Sequence, residues 1–520
     1  MSIHGELPEL AAAVLQPGFV GTTAPDWVRR WLGAGLGGVA LFARNVESPG
    51  QVAALTAQLR AEHPDVIVAI DEEAGDVTRF ESRLGSSRPG NLALGAIDDA
   101  DLTEAVARDL GRELADAGIT LDYAPDADVN SNPKNPVIGV RAFGAEPHLV
   151  ARHTAAFVRG LQESGVAGCA KHFPGHGDTA VDSHHDLPVI DRTAAELAAC
   201  ELVPFRAAIA AGAKAVMTGH LLVPAYDTEL PATLSPRILT GLLREEFGFD
   251  GLIVTDAIEM QGVRRRYGLE GAIVRALAAG ADAVCVGGEH ADEQIAIRLR
   301  DAIVAAVRSG ELPEERLHDA VHRVRALGSW TTRVQTATGA RAVADAAAGN
   351  EVAVLGSTVG FEAARRAVRV TVADGGPELP VTGVPHVVEF APARNIAIGS
   401  ETPWGVGEPL AELLPGTTSI RFSADDLEPL ADPAAPVLAG AGGRPLVLVV
   451  RDVHRHPWIA GTLSRVLAVR PDAIVVEMGI PVAVTGGVHI ATHGATRALG
   501  RAAAELIAGL NVPAPQPIAA

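Results

Sequence analysis

The chain has 520 residues, 48% of them hydrophobic, and a formal net charge of −20. Its length exceeds that of one ordinary domain of about 150 residues, so two domains are expected. The negative charge argues against nucleic acids and anionic membranes as partners. No run of the sequence stays apolar for the roughly 20 residues of a membrane-spanning helix.

Short β-like runs alternate with helical stretches over residues 1–330. Two of the helical stretches, 100–118 and 146–165, have apolar residues at helical spacing and end on glycine. Eight strand–helix units predict a (β/α)8 TIM-type barrel, because parallel strands need crossover helices. A doubly wound sheet is the alternative, but polar residues follow nearly every run instead of clustering at one switch point. The predicted strands are 15–21, 37–43, 66–71, 119–129, 166–173, 214–220, 251–257 and 281–288.

Beyond residue 350 the strand-like runs are more closely spaced, and helical stretches lie among them. This pattern predicts a smaller open α/β domain over 351–520, after a barrel domain over 1–330. The segment 331–350 is predicted to be a partly helical linker. The seven predicted strands of the second domain are 351–356, 369–374, 386–392, 418–423, 445–453, 472–479 and 487–494.

Ionisable residues follow several of the predicted barrel strands at their carboxyl ends. In a barrel these ends converge on one face, where such enzymes carry their active sites. We therefore expect acidic, basic and imidazole groups to share one cavity. The candidates in chain order are Asp71, Glu72, Glu73, Arg141, Lys171, His172, His220 and Asp256.

Asp256 directly follows the run "GLIVT", which would place its carboxylate at the rim of the barrel. There a carboxylate finds partial burial and cationic neighbours, as a catalytic group needs. The alternative is a helix N-cap, since aspartate is a favoured cap and "DAIEM" has the pattern of a helix start.

The stretch "KHFPGHGDTAVDSHHD", residues 171–186, holds four histidines and three aspartates. A zinc site would need about three such ligands in fixed geometry, but proline and glycine make this a loop without metal-like spacing, and no metal is expected. The other interpretation is acid–base catalysis by Asp182 and His184. In an extended stretch the two side chains point the same way, so the carboxylate can orient the imidazole and stabilise its protonated form.

Four motifs, "IDEEAGDVTRF", "NPVIGVRAFG", "KHFPGHGDTAVDSHHDLP" and "PATLSPRILTGLLREEFGFDGLIVTDAIEM", closely resemble glycoside hydrolase family 3, in its β-N-acetylglucosaminidase branch. The resemblance covers about residues 10–330, and longer members carry a C-terminal α/β domain. The chain departs from the typical "DQEGGRV" pattern at Glu72, Ala74 and Asp76, where Gln, Gly and Arg are usual. The resemblance implies a nucleophile, Asp256, an acid/base dyad, Asp182 and His184, and sugar-binding residues, Asp71, Arg141, Lys171 and His172.

The implied activity is that of a retaining exo-β-N-acetylglucosaminidase, acting through a covalent glycosyl-Asp intermediate on cell-wall (muropeptide) or chitin-derived oligosaccharides. A phosphorylase that releases N-acetylglucosamine 1-phosphate is the alternative, and a non-catalytic sugar-binding protein is a third interpretation.

No cofactor is expected, and the chain is expected to be a monomer or homodimer. An acidic start without a signal-peptide pattern and three widely separated cysteines indicate a cytoplasmic protein. In the second domain, His493 and Arg497 follow a predicted strand and either recognise the aglycone or lie in a surface loop.

Overall fold

The computed structural model describes residues 3–179, 187–288, 291–347, 356–393, 395, 397–399 and 401–510, and in this part of the chain fourteen strands form two separate sheets. The chain divides into two units, each built on one sheet. The first unit comprises Met1–Glu73, Asp99–Ile138 and Ala142–Val354, and the second Ala74–Asp98, Gly139–Arg141 and Leu355–Ala520.

The strands are β1 (Leu15–Pro17), β2 (Gly38–Leu41), β3 (Ile67–Ile70), β4 (Leu121–Asp122), β5 (Ala167–Phe173), β6 (Ala215–Thr218), β7 (Leu252–Thr255), β8 (Ala283–Val286), β9 (Arg369–Val372), β10 (His386–Phe390), β11 (Thr418–Phe422), β12 (Leu446–Val450), β13 (Ile474–Glu477) and β14 (Val488–Ala491). The helices of the first 350 residues are α1 (Ile3–Ala13), α2 (Asp26–Gly33), α3 (Pro49–Glu62), α4 (Asn91–Ile97), α5 (Ala100–Asp116), α6 (Pro147–Gln162), α7 (Ala194–Ala199), α8 (Leu202–Ala210), α9 (Gln261–Tyr267), α10 (Leu269–Ala279), α11 (Glu293–Ser309), α12 (Glu314–Thr338) and α13 (Ala340–Ala347), with a π-helix at Arg237–Glu246. The later helices are α14 (Thr358–Ala367), α15 (Gly407–Leu413), α16 (Ala424–Leu427), α17 (Ala434–Ala439), α18 (Pro457–Val469) and α19 (Arg497–Ile507).

The eight strands of the first unit form a nearly closed parallel barrel in the order β1-β8-β7-β6-β5-β4-β3-β2. The outer strands of this order also approach each other, since a Cβ on Gly38 would lie 3.4 Å from Cγ of Gln16. Alternate strand residues pack together in one hydrophobic cluster, for example Ala215 and Met217 of β6. The barrel and all eight of its predicted strands are confirmed.

The barrel helices form where the sequence predicts them, and their starts are capped. The Asp99 side chain accepts a hydrogen bond of 3.1 Å from the Leu102 amide at the start of α5. At the start of α6, Glu146 accepts from the His148 amide at 3.0 Å, and Pro147 occupies the first turn. Among the described residues, no helix combines the length and apolar character that a bilayer crossing requires.

The second sheet has the order β11-β10-β12-β13-β14-β9, parallel except for β9, which runs antiparallel to β14. Both faces of β12 are buried: Val447 and Val449 pack in one hydrophobic cluster, and Leu446 and Leu448 in another. The predicted open α/β architecture is confirmed. Six of the seven predicted strands form, and the first, 351–356, lies almost entirely outside the described residues.

The two units do not follow the domain boundaries expected from the sequence. The segment 74–98 follows a barrel strand in the chain but belongs to the second unit, where Asp76 forms an ion pair with Arg451. The predicted linker, 331–350, is helical over most of its described residues. Its second helix, α13, is fixed within the first unit by an ion pair of 2.6 Å between Arg60 and Asp345.

Glu477 ends β13 in the buried part of the second sheet. Burial raises the pKa of its carboxyl from an ordinary value of 4.5 to about 7, and the negative charge of Asp452 adds to the shift. Between these two pKa values the carboxyl is therefore protonated in the folded protein and ionised in the unfolded chain. Stability from this group is fully present below the unfolded pKa and is lost as pH rises through about 7. The shift corresponds to a loss on the order of 3 kcal/mol.

The Glu477→Gln variant should therefore melt at a higher temperature than the parent at about pH 8 and show little gain at about pH 5. The amide keeps an oxygen for the Asp452 and Gly479 N–H groups, which donate to Oε1 at 2.9 and 2.8 Å. Thermal melting across this pH range measures the effect. A matched control is Glu389→Gln, which removes the charge that pairs with Arg421 and should lower the melting temperature at both pH values. An equal change at both pH values for Glu477→Gln would contradict the prediction.

Candidate active site

Four of the residues predicted for the site lie at the carboxyl ends of barrel strands. Asp71 directly follows β3, Lys171 and His172 lie near the end of β5, and Asp256 directly follows β7. Burial is the main cause of a raised pKa at the Cys169 thiol of β5; the charge of Lys171 lowers it, and the charges of Asp71 and Asp256 raise it. The structure therefore places these four residues at the same end of the parallel barrel, and their sharing one cavity stays a prediction.

Lys171 is the cationic centre of this face and is only 2% exposed. Its ammonium group bonds the carboxylate of Asp71 and lies 2.6 Å from Oε1 of Glu73. A buried ammonium needs such partners, because an unpaired charge in this environment would be strongly unfavourable. The arrangement fixes a group that only accepts hydrogen bonds, Asp71, beside one that only donates them, a pairing that can bind a hydroxyl group, which does both.

His172 is oriented by a buried carboxylate that the sequence interpretation missed. Its Nδ1 lies 2.7 Å from Oδ2 of Asp128, whose other oxygen accepts from the His176 amide at 2.7 Å. This bond sets which ring nitrogen carries the proton and directs Nε2 away from Asp128. The signal was present in "PDADV", where two aspartates alternate just beyond β4.

Asp126, Asp128 and His172 are the described residues that could together hold a metal ion. In the structure, however, Nδ1 of His172 is engaged in the hydrogen bond with Asp128. This bond is one that a histidine makes to a neighbouring carboxylate without any ion. The absence of a bound metal stays a prediction.

The loop that follows β5 begins in close contact with the segment that follows β4. A Cβ at Gly177 would lie 1.6 Å from the carbonyl oxygen of Val129, so only glycine fits there. Asn135 donates from Nδ2 to the carbonyl oxygens of His176 and Gly177, at 2.8 and 3.0 Å. Asn135 was not singled out in the sequence, although it lies in the motif "NPVIGVRAFG".

An ion pair then joins the two sides of the histidine-rich loop. The Arg192 guanidinium bonds Asp178, and this bond is the main cause of the raised pKa of Arg192. The predicted acid/base residues, Asp182 and His184, lie between these partners in sequence and outside the described residues. Their role stays a prediction.

Asp256 is half-buried, and its own loop holds it in place. Its amide donates to the carbonyl oxygen of Thr218 at 3.2 Å, and its Oδ1 accepts from the Ala257 amide at 2.7 Å. The next helix, α9, begins only at Gln261 and has Met260 at its N-cap. The helix-cap interpretation of Asp256 is therefore wrong, because the chain between it and α9 is a loop.

The amino-acid sequence matches the family model described as "Glycosyl hydrolase family 3 N terminal domain" over residues 21–327. This match covers more than half of the chain and contains all the first-unit site residues described above. The chain belongs to glycosyl hydrolase family 3. The family and the enzyme class predicted from the motifs, a glycoside hydrolase, are both confirmed.

Several named proteins and solved structures are similar to this family-3 chain. It is 35% identical over 343 residues to beta-hexosaminidase A of Pseudoalteromonas piscicida, an alignment covering 61% of this chain and 56% of that protein. The chain thus spans little more than half of that relative. It is 41% identical over 271 residues to the beta-hexosaminidase of Chromobacterium violaceum, covering 50% and 75% of the two chains. The structure of a family-3 beta-N-acetylglucosaminidase from Paenibacillus sp. str. FPU-7 matches with a TM-score of 0.81 at 33% identity, covering 97% and 96%.

The departure of this family-3 sequence at Asp76 has a structural explanation within the second unit. There the Asp76 carboxylate pairs with Arg451 and accepts from the Ala495 amide at 2.8 Å. Arg497 is held in a similar way, since it lies 2.8 Å from Oε1 of Glu81. Arg497 is therefore engaged in an ion pair and is not a solvated loop residue.

Arg141, the remaining predicted sugar-binding residue, lies in the 3₁₀-helix Gly139–Arg141 of the second unit. It is buried, and its carbonyl oxygen accepts from Nδ2 of Asn91 at 2.7 Å. This contact explains how its backbone is fixed. The binding role of its guanidinium stays a prediction.

Proposed function

We propose that this family-3 enzyme is a retaining exo-β-N-acetylglucosaminidase that removes terminal β-linked N-acetylglucosamine. The observation that carries the proposal is the half-buried carboxylate of Asp256, fixed at the carboxyl end of β7 on the face that also holds Lys171 and Asp71. The names of the relatives, beta-hexosaminidase and beta-N-acetylglucosaminidase, support the same substrate class.

In the proposed mechanism, Asp256 attacks the anomeric carbon and the bond to the leaving oxygen breaks. His184 protonates that oxygen, and Asp182 orients the imidazole and stabilises its charge. In the second step, His184 removes a proton from water, which attacks the glycosyl–Asp256 ester and releases the sugar with retained configuration. Retaining enzymes usually employ two carboxyl groups about 5–5.5 Å apart, and here an imidazole takes the place of one.

The sugar itself is proposed to bind against Asp71, Lys171 and His172. A hydroxyl group both donates and accepts hydrogen bonds, and the Asp71 carboxylate beside the Lys171 ammonium offers both partners. His172 presents a ring whose orientation is set by Asp128. Because Lys171 and His172 are buried and each is already hydrogen-bonded to a carboxylate, little reorganisation should accompany substrate binding.

The natural substrates are proposed to be small oligosaccharides derived from the cell wall or from chitin, with water as the acceptor in the second step. A cytoplasmic location remains a prediction; Cys169, Cys200 and Cys285, all within the described residues, are free thiols. The test is a comparison of 4-nitrophenyl β-N-acetylglucosaminide with the corresponding β-glucoside. Hydrolysis of the acetamido substrate alone supports the proposal, and preference for the glucoside contradicts it.

The loss of activity in the His184→Ala variant should depend on the basicity of the leaving group. Hydrolysis of chitobiose, whose leaving oxygen needs a proton, is expected to fall on the order of 10²–10⁴-fold, the range for general acid catalysis. The first step on a dinitrophenyl glycoside, whose leaving group departs unprotonated, should fall far less. Steady-state and burst kinetics on the two substrates measure this difference. Equal losses in the first step would remove the proposed acid role.

A further inference from the structure

The loop that carries Asp256 is fixed from three neighbouring parts of the barrel. Besides the bond from the Asp256 amide to Thr218 of β6, the Ile258 amide donates to the carbonyl oxygen of Cys285 in β8 at 3.1 Å. A third contact comes from His220, which is fully buried just beyond β6. Its Nε2 lies 3.0 Å from the carbonyl oxygen of Ala257.

These contacts hold both ends of one peptide plane, the plane between Ala257 and Ile258. Its carbonyl oxygen contacts His220, and its N–H contacts β8. Because a peptide is planar, fixing both ends leaves the plane no freedom to tilt. The neighbouring N–H, that of Ala257, is the donor that holds Oδ1 of Asp256 at 2.7 Å. Ala257 thus bonds His220 through its carbonyl oxygen and Asp256 through its N–H, so a displacement of Ala257 would move this donor and the carboxylate with it.

The direction of the His220 hydrogen bond follows from its partner. A carbonyl oxygen only accepts, so Nε2 of His220 must carry a proton and donate. The other ring nitrogen, Nδ1, lies 2.9 Å from Oγ1 of Thr233, which in turn lies 2.8 Å from Oγ1 of Thr218. These two hydroxyl groups hold the ring at Nδ1, while Nε2 contacts Ala257.

We infer that His220 is a positioning residue for the nucleophile, acting through the Ala257 carbonyl group to set the orientation of the Asp256 carboxylate. The inference rests on the proposed role of Asp256. It extends that proposal, because the sequence showed His220 only as one of several polar residues at strand ends. Attack on the anomeric carbon requires the reacting oxygen in near-attack geometry, and a misplacement of about 1 Å can cost a factor of about 10² in rate.

Two amide replacements of His220 test the contributions of its two ring nitrogens separately. Glutamine places its amide nitrogen close to the position of Nε2 and can still donate to Ala257. Asparagine places its amide nitrogen close to the position of Nδ1 and cannot reach that carbonyl group. With dinitrophenyl β-N-acetylglucosaminide, His220→Asn should lose about 10²-fold in kcat for the first step, and His220→Gln less than about 10-fold. KM should change little in both.

A matched control is available at another buried histidine of the first unit. His153 is fully buried, and its Nδ1 lies 2.7 Å from Oγ1 of Thr103, between α5 and α6. His153→Gln and His153→Asn should resemble the His220 variants in melting temperature while leaving kcat close to the parent value. If His220→Asn does not fold, Thr233→Val removes the hydroxyl group behind the ring and should lower kcat by about 10-fold at unchanged KM.

The outcomes distinguish this inference from the proposed function. A kcat that is largely retained in His220→Gln and lost in His220→Asn supports positioning through Ala257. Equal kcat for His220→Gln and His220→Asn, or a change confined to KM, would overturn the inference while leaving an active parent enzyme and the proposed function intact. An unchanged kcat in Thr233→Val, where that variant is needed, would also overturn it. A parent protein with no activity on any β-N-acetylglucosaminide would instead remove the proposed function.

Discussion

The Asp256→Asn variant should lose β-N-acetylglucosaminidase activity by a factor on the order of 10⁴ or more, with nearly unchanged thermal stability. The amide cannot form the glycosyl ester, so the first covalent step is lost. Its oxygen can still accept from the Ala257 amide, which lies 2.7 Å from Oδ1 in the parent, and the loop should therefore stay in place. Steady-state kinetics and thermal melting on the same preparation measure both effects.

A matched control for this variant is Asp227→Asn, also in the first unit. Asp227 is a buried carboxylate that accepts from the Glu229 and Leu230 amides at 3.0 Å and from Oγ of Ser235 at 2.7 Å. Its replacement should reduce stability more than activity. The opposite pattern for Asp256→Asn, a large loss of melting temperature with retained turnover, would mean that Asp256 is a structural residue.

The Lys171→Met variant should affect both stability and catalysis. Removing the ammonium leaves the carboxylates of Asp71 and Glu73 without their shared cation, and breaking a buried ion pair costs about 3–5 kcal/mol. It also removes a proposed donor to the sugar, so kcat/KM should fall by about 10- to 10²-fold, since hydrogen bonds to a charged group are worth about 1.5–3 kcal/mol. Denaturant unfolding and kinetics measure the two losses.

A double variant separates these two effects. Adding Glu73→Gln to Lys171→Met removes one of the uncompensated charges and should recover part of the stability without restoring kcat/KM. Lys214→Met is the control, because its ammonium lies over the Trp330 ring at 5.2 Å and away from the buried carboxylates. Full recovery of activity in the double variant would show that Lys171 acts only on the fold.

The barrel could be predicted from the sequence because its strands are short, apolar and separated by amphipathic helices with clear starts. The run before Asp256 becomes β7, and the run before Asp71 becomes β3, so their carboxylates fall at the carboxyl ends of strands. Parallel strand direction then brings both to one face. For these residues, the local sequence pattern and the barrel topology predict the same position in the fold.

Other parts of the site depend on contacts between residues far apart in the chain. The bond between Asp128 and His172 joins positions 44 residues apart, so the alternating aspartates of "PDADV" could indicate a polar site but not its partner. The assignment of residues 74–98 to the second unit depends on partners such as Arg451, which lies 375 residues beyond Asp76. The helix-cap alternative for Asp256 failed because α9 begins four residues later than a cap at Asp256 would require. Helix boundaries of this kind are set by tertiary packing as well as by propensity.

The central claim is that Asp256 forms a covalent intermediate that water hydrolyses with retention of configuration. The most direct test is proton NMR of the first-formed product from chitobiose, with and without phosphate. We expect the β-anomer of N-acetylglucosamine to appear first under both conditions and then to equilibrate with the α-anomer. The α-anomer as first product would contradict the double displacement. Formation of N-acetylglucosamine 1-phosphate only in the presence of phosphate would contradict water as the acceptor.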